Sequence, residues 1–201
     1  MKRFCLLLCG LVLFIGTVFS GPFGLSKGMT LQELQTIEPS ITLVDPSTPY
    51  IYVMKSVPIP SSRFESYLVQ VHPEKGLFGI VALGVDIKTT PNGTALINAY
   101  NSLVKVITDT YPAIKPNSID FLVSASTNDK PEDFMMSLEK SERFVHSYWG
   151  DSEAFPVVNK EIDTITLLIL TSNTNVGYLR LSYEFTDFQK IKDSLKEKEQ
   201  F

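Results

Sequence analysis

Gly177-Tyr178-Leu179-Arg180-Leu181-Ser182-Tyr183-Glu184-Phe185 alternates without a break. Leu179, Leu181, Tyr183 and Phe185 fall on one side of an extended chain, and Tyr178, Arg180, Ser182 and Glu184 fall on the other. Successive side chains of a strand point to opposite faces, so the stretch predicts a strand with one buried and one wet face. That is the habit of an antiparallel sheet.

Reading outward, Ser172-Asn173-Thr174-Asn175 is a turn, and strands are predicted at 162–171 and 143–149. The first half of the chain repeats the pattern. Residues 50–57, 64–71 and 77–87 read as strands, separated by Pro58-Ile59-Pro60-Ser61-Ser62 and His72-Pro73-Glu74-Lys75-Gly76. The third of these is apolar on both parities, which places it centrally with both faces covered. A short strand at 119–124 lies between the two sets.

Helices bracket the strands. Thr30 and Glu33 have the spacing of a capping box, with Met29 and Leu34 placed for the hydrophobic staple, so a helix is expected to start at Thr30 and to end before Pro39. From Thr94 to Tyr111, Leu96, Ile97, Tyr100, Leu103, Val104 and Ile107 recur at helical spacing, and Pro112 stops the run. Asp129 is expected to cap a helix running to about Lys140, with Glu132 and Asp133 in its first turn. Thr186 is expected to cap a last helix that docks through Phe188, Ile191 and Leu195. The sum is an α+β fold in αβββα-αβββα order, with about six strands in antiparallel sheets. The halves 21–115 and 116–201 read as a pseudo-repeat within a single α+β domain, 21–201, and either one joined sheet or two packed sheets satisfies the pattern.

The N-terminus reads as an address. Lys2-Arg3 precede an apolar run from Phe4 to Phe19, and Val18-Phe19-Ser20 has the small-residue spacing of a signal-peptidase site, so residues 1–20 are expected to be a signal peptide cut after Ser20. A retained anchor is the competing reading, disfavoured by Gly10, Gly16 and that exit sequence. Lipidation at Cys9 is disfavoured because Leu8 is large. Cleavage removes Cys5 and Cys9, the only two cysteines of the chain, and with them disulfides, thiolate nucleophiles and redox chemistry. The expected location is the periplasm or the exterior, with no transmembrane segment left after cleavage. Asn92-Gly93-Thr94 is formally a glycosylation acceptor, and in a bacterium a turn opening the next helix.

Composition narrows the function. The chain has 201 residues, 44% of them hydrophobic and 20% charged, which suits a globular protein. A formal charge of −4 argues against nucleic acid as a partner. No nucleophile elbow, phosphate loop, dinucleotide fingerprint or calcium loop is present, so no cofactor and no metal is expected. Of the two histidines, His72 reads as an exposed turn residue before Pro73, and His146 as a strand histidine beside Phe144 and Tyr148. Glu132, Asp133, Glu139 and Glu142 surround a helix together with Lys140 and Arg143, which reads as a solvated face rather than a carboxylate pair. Phe134-Met135-Met136 reads chiefly as core. Tyr178, Arg180 and Glu184 share the wet face of one strand and are the candidate interaction surface.

Phe23-Gly24-Leu25-x-x-Gly28-Met29-Thr30-x-x-Glu33-Leu34 resembles the first helix of small secreted bacterial proteins of the BamE/SmpA-like and beta-lactamase-inhibitor-like group, where a capped helix packs on an antiparallel sheet. The strands from Trp149 through Phe185 are similar to those of proteobacterial periplasmic proteins of unknown role. The resemblance implies a non-enzymatic envelope protein, although BamE-like proteins are lipid-anchored. The expected function is therefore binding, as an envelope accessory factor, inhibitor or immunity-like protein whose partner is another envelope protein. The alternatives are an enzyme built on Ser182, Glu184 and His146, and a carrier of an apolar ligand.

Overall fold

The capping box at Thr30 is formed. In the computed structural model, which describes residues 21–150 and 157–198, the Glu33 N–H donates to Thr30 Oγ1 at 3.2 Å and the Thr30 N–H to Glu33 Oε2 at 2.7 Å. The predicted signal peptide lies outside the described residues. Helix α1 (Leu31–Ile37) follows the box and buries Leu34. Then come β1 (Thr42–Leu43), β2 (Ile51–Met54), β3 (Phe64–His72), β4 (Gly76–Gly84), β5 (Ile87–Lys88) and α2 (Thr94–Thr110). The second half runs β6 (Asn117–Leu122), α3 (Phe134–Glu139), β7 (Arg143–Trp149), β8 (Ile162–Asn173), β9 (Val176–Phe185) and α4 (Phe188–Lys198).

The nine strands of the described residues belong to one antiparallel sheet in the order β1-β2-β3-β4-β9-β8-β7-β6, with β5 pairing β9. The join between the halves is the central pair β4–β9, with Ala82 opposite Leu181. The six expected strands are β2, β3, β4, β7, β8 and β9. The short strand expected at 119–124 is β6, at the sheet edge, and the sheet is larger than expected because β1 and β5, at two residues each, are too short for alternation to show.

One face carries the main core. Tyr67 and Val69 of β3, Ile80 and Ala82 of β4, Ile165, Leu167 and Ile169 of β8, and Leu179, Leu181 and Phe185 of β9 are buried there. Leu96, Tyr100, Leu103 and Ile107 of α2 pack onto them, one buried side per turn. Gly93, at φ +70°, turns the chain into α2 where a Cβ would lie 2.3 Å from the Phe134 ring. Asn92 accepts from the Thr94 hydroxyl at 2.8 Å, so this triplet does open the helix.

Among the described residues one helix covers part of the far face. There Phe188 and Leu195 of α4 bury Phe78, a small second core with Tyr50 and Ile191 at its margin. Both faces of β4 are therefore covered, as its composition requires.

Three expectations are corrected. Asp129 caps nothing: the segment opens with a 3-10 turn at Pro131–Asp133, whose fixed proline φ tightens the first turn, and α3 starts only at Phe134. Thr186 does not cap α4: the first helical hydrogen bond runs from the Ile191 N–H to the Asp187 carbonyl, so Asp187, at φ +68°, holds the cap position, and the Thr186 hydroxyl accepts from Lys27 Nζ at 2.6 Å. His72 is not exposed. It is 3% accessible, and its Nδ1 accepts the N–H groups of Glu74 and Lys75 at 3.0 and 3.1 Å, so the ring closes the β3–β4 turn from inside.

Candidate interaction face

The alternation of β9 places Tyr178, Arg180, Ser182 and Glu184 on the far face, opposite the core residues Leu179, Leu181 and Tyr183. Arg180 is exposed, and Tyr178 and Glu184 are half-buried. Strand register extends this face sideways. His146 of β7 stands opposite Leu168 of β8, and Leu168 opposite Arg180. Tyr148, Thr166 and Ser182 form the next row, and Leu170 faces Tyr178 in the row on the other side.

The register also separates the residues of the alternative enzyme site. His146 and Ser182 are two strands and two residues apart, about 12 Å between Cα atoms, and His146 and Glu184 are about 17 Å apart. Leu168 and Thr166 stand between them. His146 instead stacks on Tyr148, with ring centroids 6.2 Å apart. Among the described residues no three His, Asp or Glu side chains gather at metal-binding distance.

Toward the sheet edge the far face becomes more apolar. Phe121 of β6 and Phe144 of β7 are directly paired and stack at 6.5 Å, yet remain 54% and 49% accessible. Ile119, opposite His146, is 37% accessible. Three large apolar side chains thus stand exposed side by side on this face. The β7–β8 ladder ends at His146–Leu168, while β8 continues along β9 and β7 continues along β6. The strands splay there and open a cleft of about 220 Å³ lined by Leu138, Arg143, Phe144, His146, Leu168 and Leu170.

The chain matches no protein-family model, no curated protein and no solved structure.

On the helix face, the flank of β6 and β7 carries a chain of hydroxyls. Tyr100 Oη and Ser147 Oγ lie 2.6 Å apart, and Ser147 Oγ and Ser118 Oγ lie 2.6 Å apart. Ser147 is fully buried, and burial holds the Tyr100 phenol above its usual range and so protonated. Beside the chain Arg143 clamps Asp120 with Nε at 2.7 Å and Nη2 at 3.3 Å, and its guanidinium lies 5.0 Å from the Phe134 ring centroid.

The acids of the α3 region do not pair with one another. Glu142 accepts from Ser126 Oγ at 2.6 Å and Asn128 Nδ2 at 2.7 Å, which hold its carboxyl below the usual range and tie the preceding loop to β7. The carboxylate of Glu38, buried after α1, accepts the N–H groups of Lys55 and Ser56 at 2.7 and 2.6 Å and the Ser40 hydroxyl at 2.6 Å. Burial opposes its ionisation, and the Ser40 hydroxyl, these N–H groups and the Lys55 charge together outweigh burial, so its pKa is lowered.

The alternation of residues 177–185 singles out Tyr178, Arg180 and Glu184 but not Ile119, Phe121 and Phe144. The alternation in β7 separates Phe144, His146 and Tyr148 from Val145, Ser147 and Trp149, and both sets carry aromatics. Trp149 is fully buried and Phe144 half-exposed, a difference set by α2 and α3 covering one face only.

Proposed function

We propose that this chain is an exported, non-enzymatic binding protein that holds another envelope protein against the uncovered part of its sheet. One observation carries the reading: Phe121, Phe144 and Ile119 stand exposed together beside the row that runs through Leu168 to Arg180. Aromatic anchors with an arginine at hand are the residues that dominate protein interfaces. Export rests on Lys2-Arg3, the apolar run to Phe19 and Ser20, and the proposed location is the periplasm.

The test is site-specific photo-crosslinking in the producing cell. A probe at Tyr178 is expected to yield an adduct with a second, different protein, whereas a probe at Asn98, exposed on α2, yields none. Arg180→Glu combined with Phe144→Ser should lower the Tyr178 adduct at least tenfold at unchanged protein level. Equal adducts from both probe positions would remove the face from consideration, and an intact mass still containing residues 1–20 would remove export.

A further inference from the structure

We propose that β6 is a contact edge for a second copy of this chain, paired antiparallel about a two-fold axis at Ile119. This goes beyond the partner-binding reading, because it concerns the edge of the sheet and not its face.

The two ends of the sheet are built differently. β1 is two residues long and is followed by Asp45-Pro46 and Pro49, devices that blunt an edge. β6 is six residues long, pairs β7 without a bulge, and holds neither proline nor lysine. Among the described residues no strand lies on its outer side. An edge of this length, whose one charge, Asp120, is tied to Arg143, is a template for another strand.

Symmetry and charge select the register. Two copies that continue one sheet with their helices on the same side must place residues of like parity opposite one another. The axis then passes through Asp120 or Ile119 if the strands are to overlap over most of their length. An axis at Asp120 sets two carboxylates directly opposite, which is repulsive. An axis at Ile119 sets Ile119 against its own copy, Asn117 against Phe121, and Ser118 against Asp120, with Pro116 just outside the paired segment.

The hydroxyl chain fits the second register. The Tyr100 hydroxyl has no partner except Ser147 among the described residues, so its proton is satisfied only if Tyr100 donates to Ser147 and Ser147 donates to Ser118. The Ser118 proton is then left for an acceptor outside the chain. The carboxylate of Asp120 from the second copy stands opposite, with lone pairs beyond the two that Arg143 uses. On the far face the two Ile119 side chains meet between the two Phe121–Phe144 stacks, which become one continuous apolar strip.

The experiment uses the full chain carrying Cys5→Ser and Cys9→Ser, so that an introduced thiol is the only one. Cα atoms directly opposite across antiparallel strands lie about 4.5–5.5 Å apart, within disulfide range. Under mild oxidation Ile119→Cys should form a covalent dimer, and Phe121→Cys alone should not. A mixture of Asn117→Cys and Phe121→Cys chains should form a mixed dimer. Sedimentation of the cysteine-free chain should show a two-chain species at concentrations of about 100 µM, as expected of a small interface. Ser118→Ala, with an unchanged circular dichroism spectrum, should weaken association about tenfold. A single-chain mass at every concentration up to about 500 µM overturns the proposal. Crosslinking of mixed Ile119→Cys and Phe121→Cys chains, with neither reacting alone, overturns the register. The photo-crosslinking adduct of the preceding section has the mass of a different protein, so failure of either reading leaves the other standing.

Discussion

The ring of Phe188 lies over the bare Cα of Gly79: a Cβ there would come within 2.7 Å of it. A glycine in β4, one of the two central strands, is what lets α4 approach the far face and bury Phe78. Beyond α4 the same face has no described helix to cover it, and that contrast makes its other end available for contact.

Gly79→Val should therefore push the Phe188 ring out and loosen α4, costing about 1–3 kcal/mol by overpacking. Denaturant unfolding reads the cost. Hydrogen exchange of residues 188–195 should speed up before that of β8 and β9 changes. Unchanged exchange in α4 would show that the ring does not depend on the glycine.

Thr30→Ala removes the acceptor for the Glu33 N–H and releases one half of the capping box. The expected loss is about 1 kcal/mol in unfolding free energy. Thr30→Ser should keep most of it. A loss below a few tenths in the alanine variant would mean that α1 is held by Leu34 and its neighbours alone.

His72 should tolerate asparagine better than leucine. The asparagine side-chain oxygen can accept N–H groups of the following turn as Nδ1 does, whereas leucine leaves the Glu74 and Lys75 N–H groups without a side-chain acceptor. His72→Leu is expected to cost about 1–3 kcal/mol and His72→Asn clearly less. Partner capture by a folded His72→Asn, His146→Gln variant should match the parent, and its loss would move attention from the surface to a reactive histidine.

Glu38 makes the fold sensitive to acid. Its pKa is lowered in the folded chain, so its contribution is fully present above the unfolded glutamate value of about 4.3 and is lost as pH falls through the lower folded value. Glu38→Gln removes that dependence. Unfolding free energy measured from pH 7 to pH 3 should fall less steeply in the variant, which starts about 1–2 kcal/mol lower at pH 7. Parallel curves would assign the acid sensitivity to another carboxylate.

Much of this architecture was legible because its signals are local. The alternation of Leu179, Leu181, Tyr183 and Phe185 needs only the strand period, the Thr30–Glu33 box needs four residues, and the spacing of Leu96, Tyr100, Leu103 and Ile107 needs one helix. Those features specified strands, helices and the face each would bury. His72 and Asp129 misled for the opposite reason. The burial of one is decided by the hairpin folding over it, and the capping role of the other is overridden by Pro131.

The sequence by itself determined an α+β chain with antiparallel strands, a wet face on β9 and no familiar catalytic motif, because residue type and spacing act within one element. Only the tertiary structure decided that β4 and β9 join the halves into a single sheet, that β6 is its outermost described strand on one side, and that His146, Ser182 and Glu184 stay apart. Strand order and register are set by which buried surfaces fit together across the whole chain, and no local period carries that information. The exposure of Phe121 and Phe144 belongs to the same class. A phenylalanine in a strand reads as core until the placement of α2, α3 and α4 shows which part of the sheet they leave uncovered.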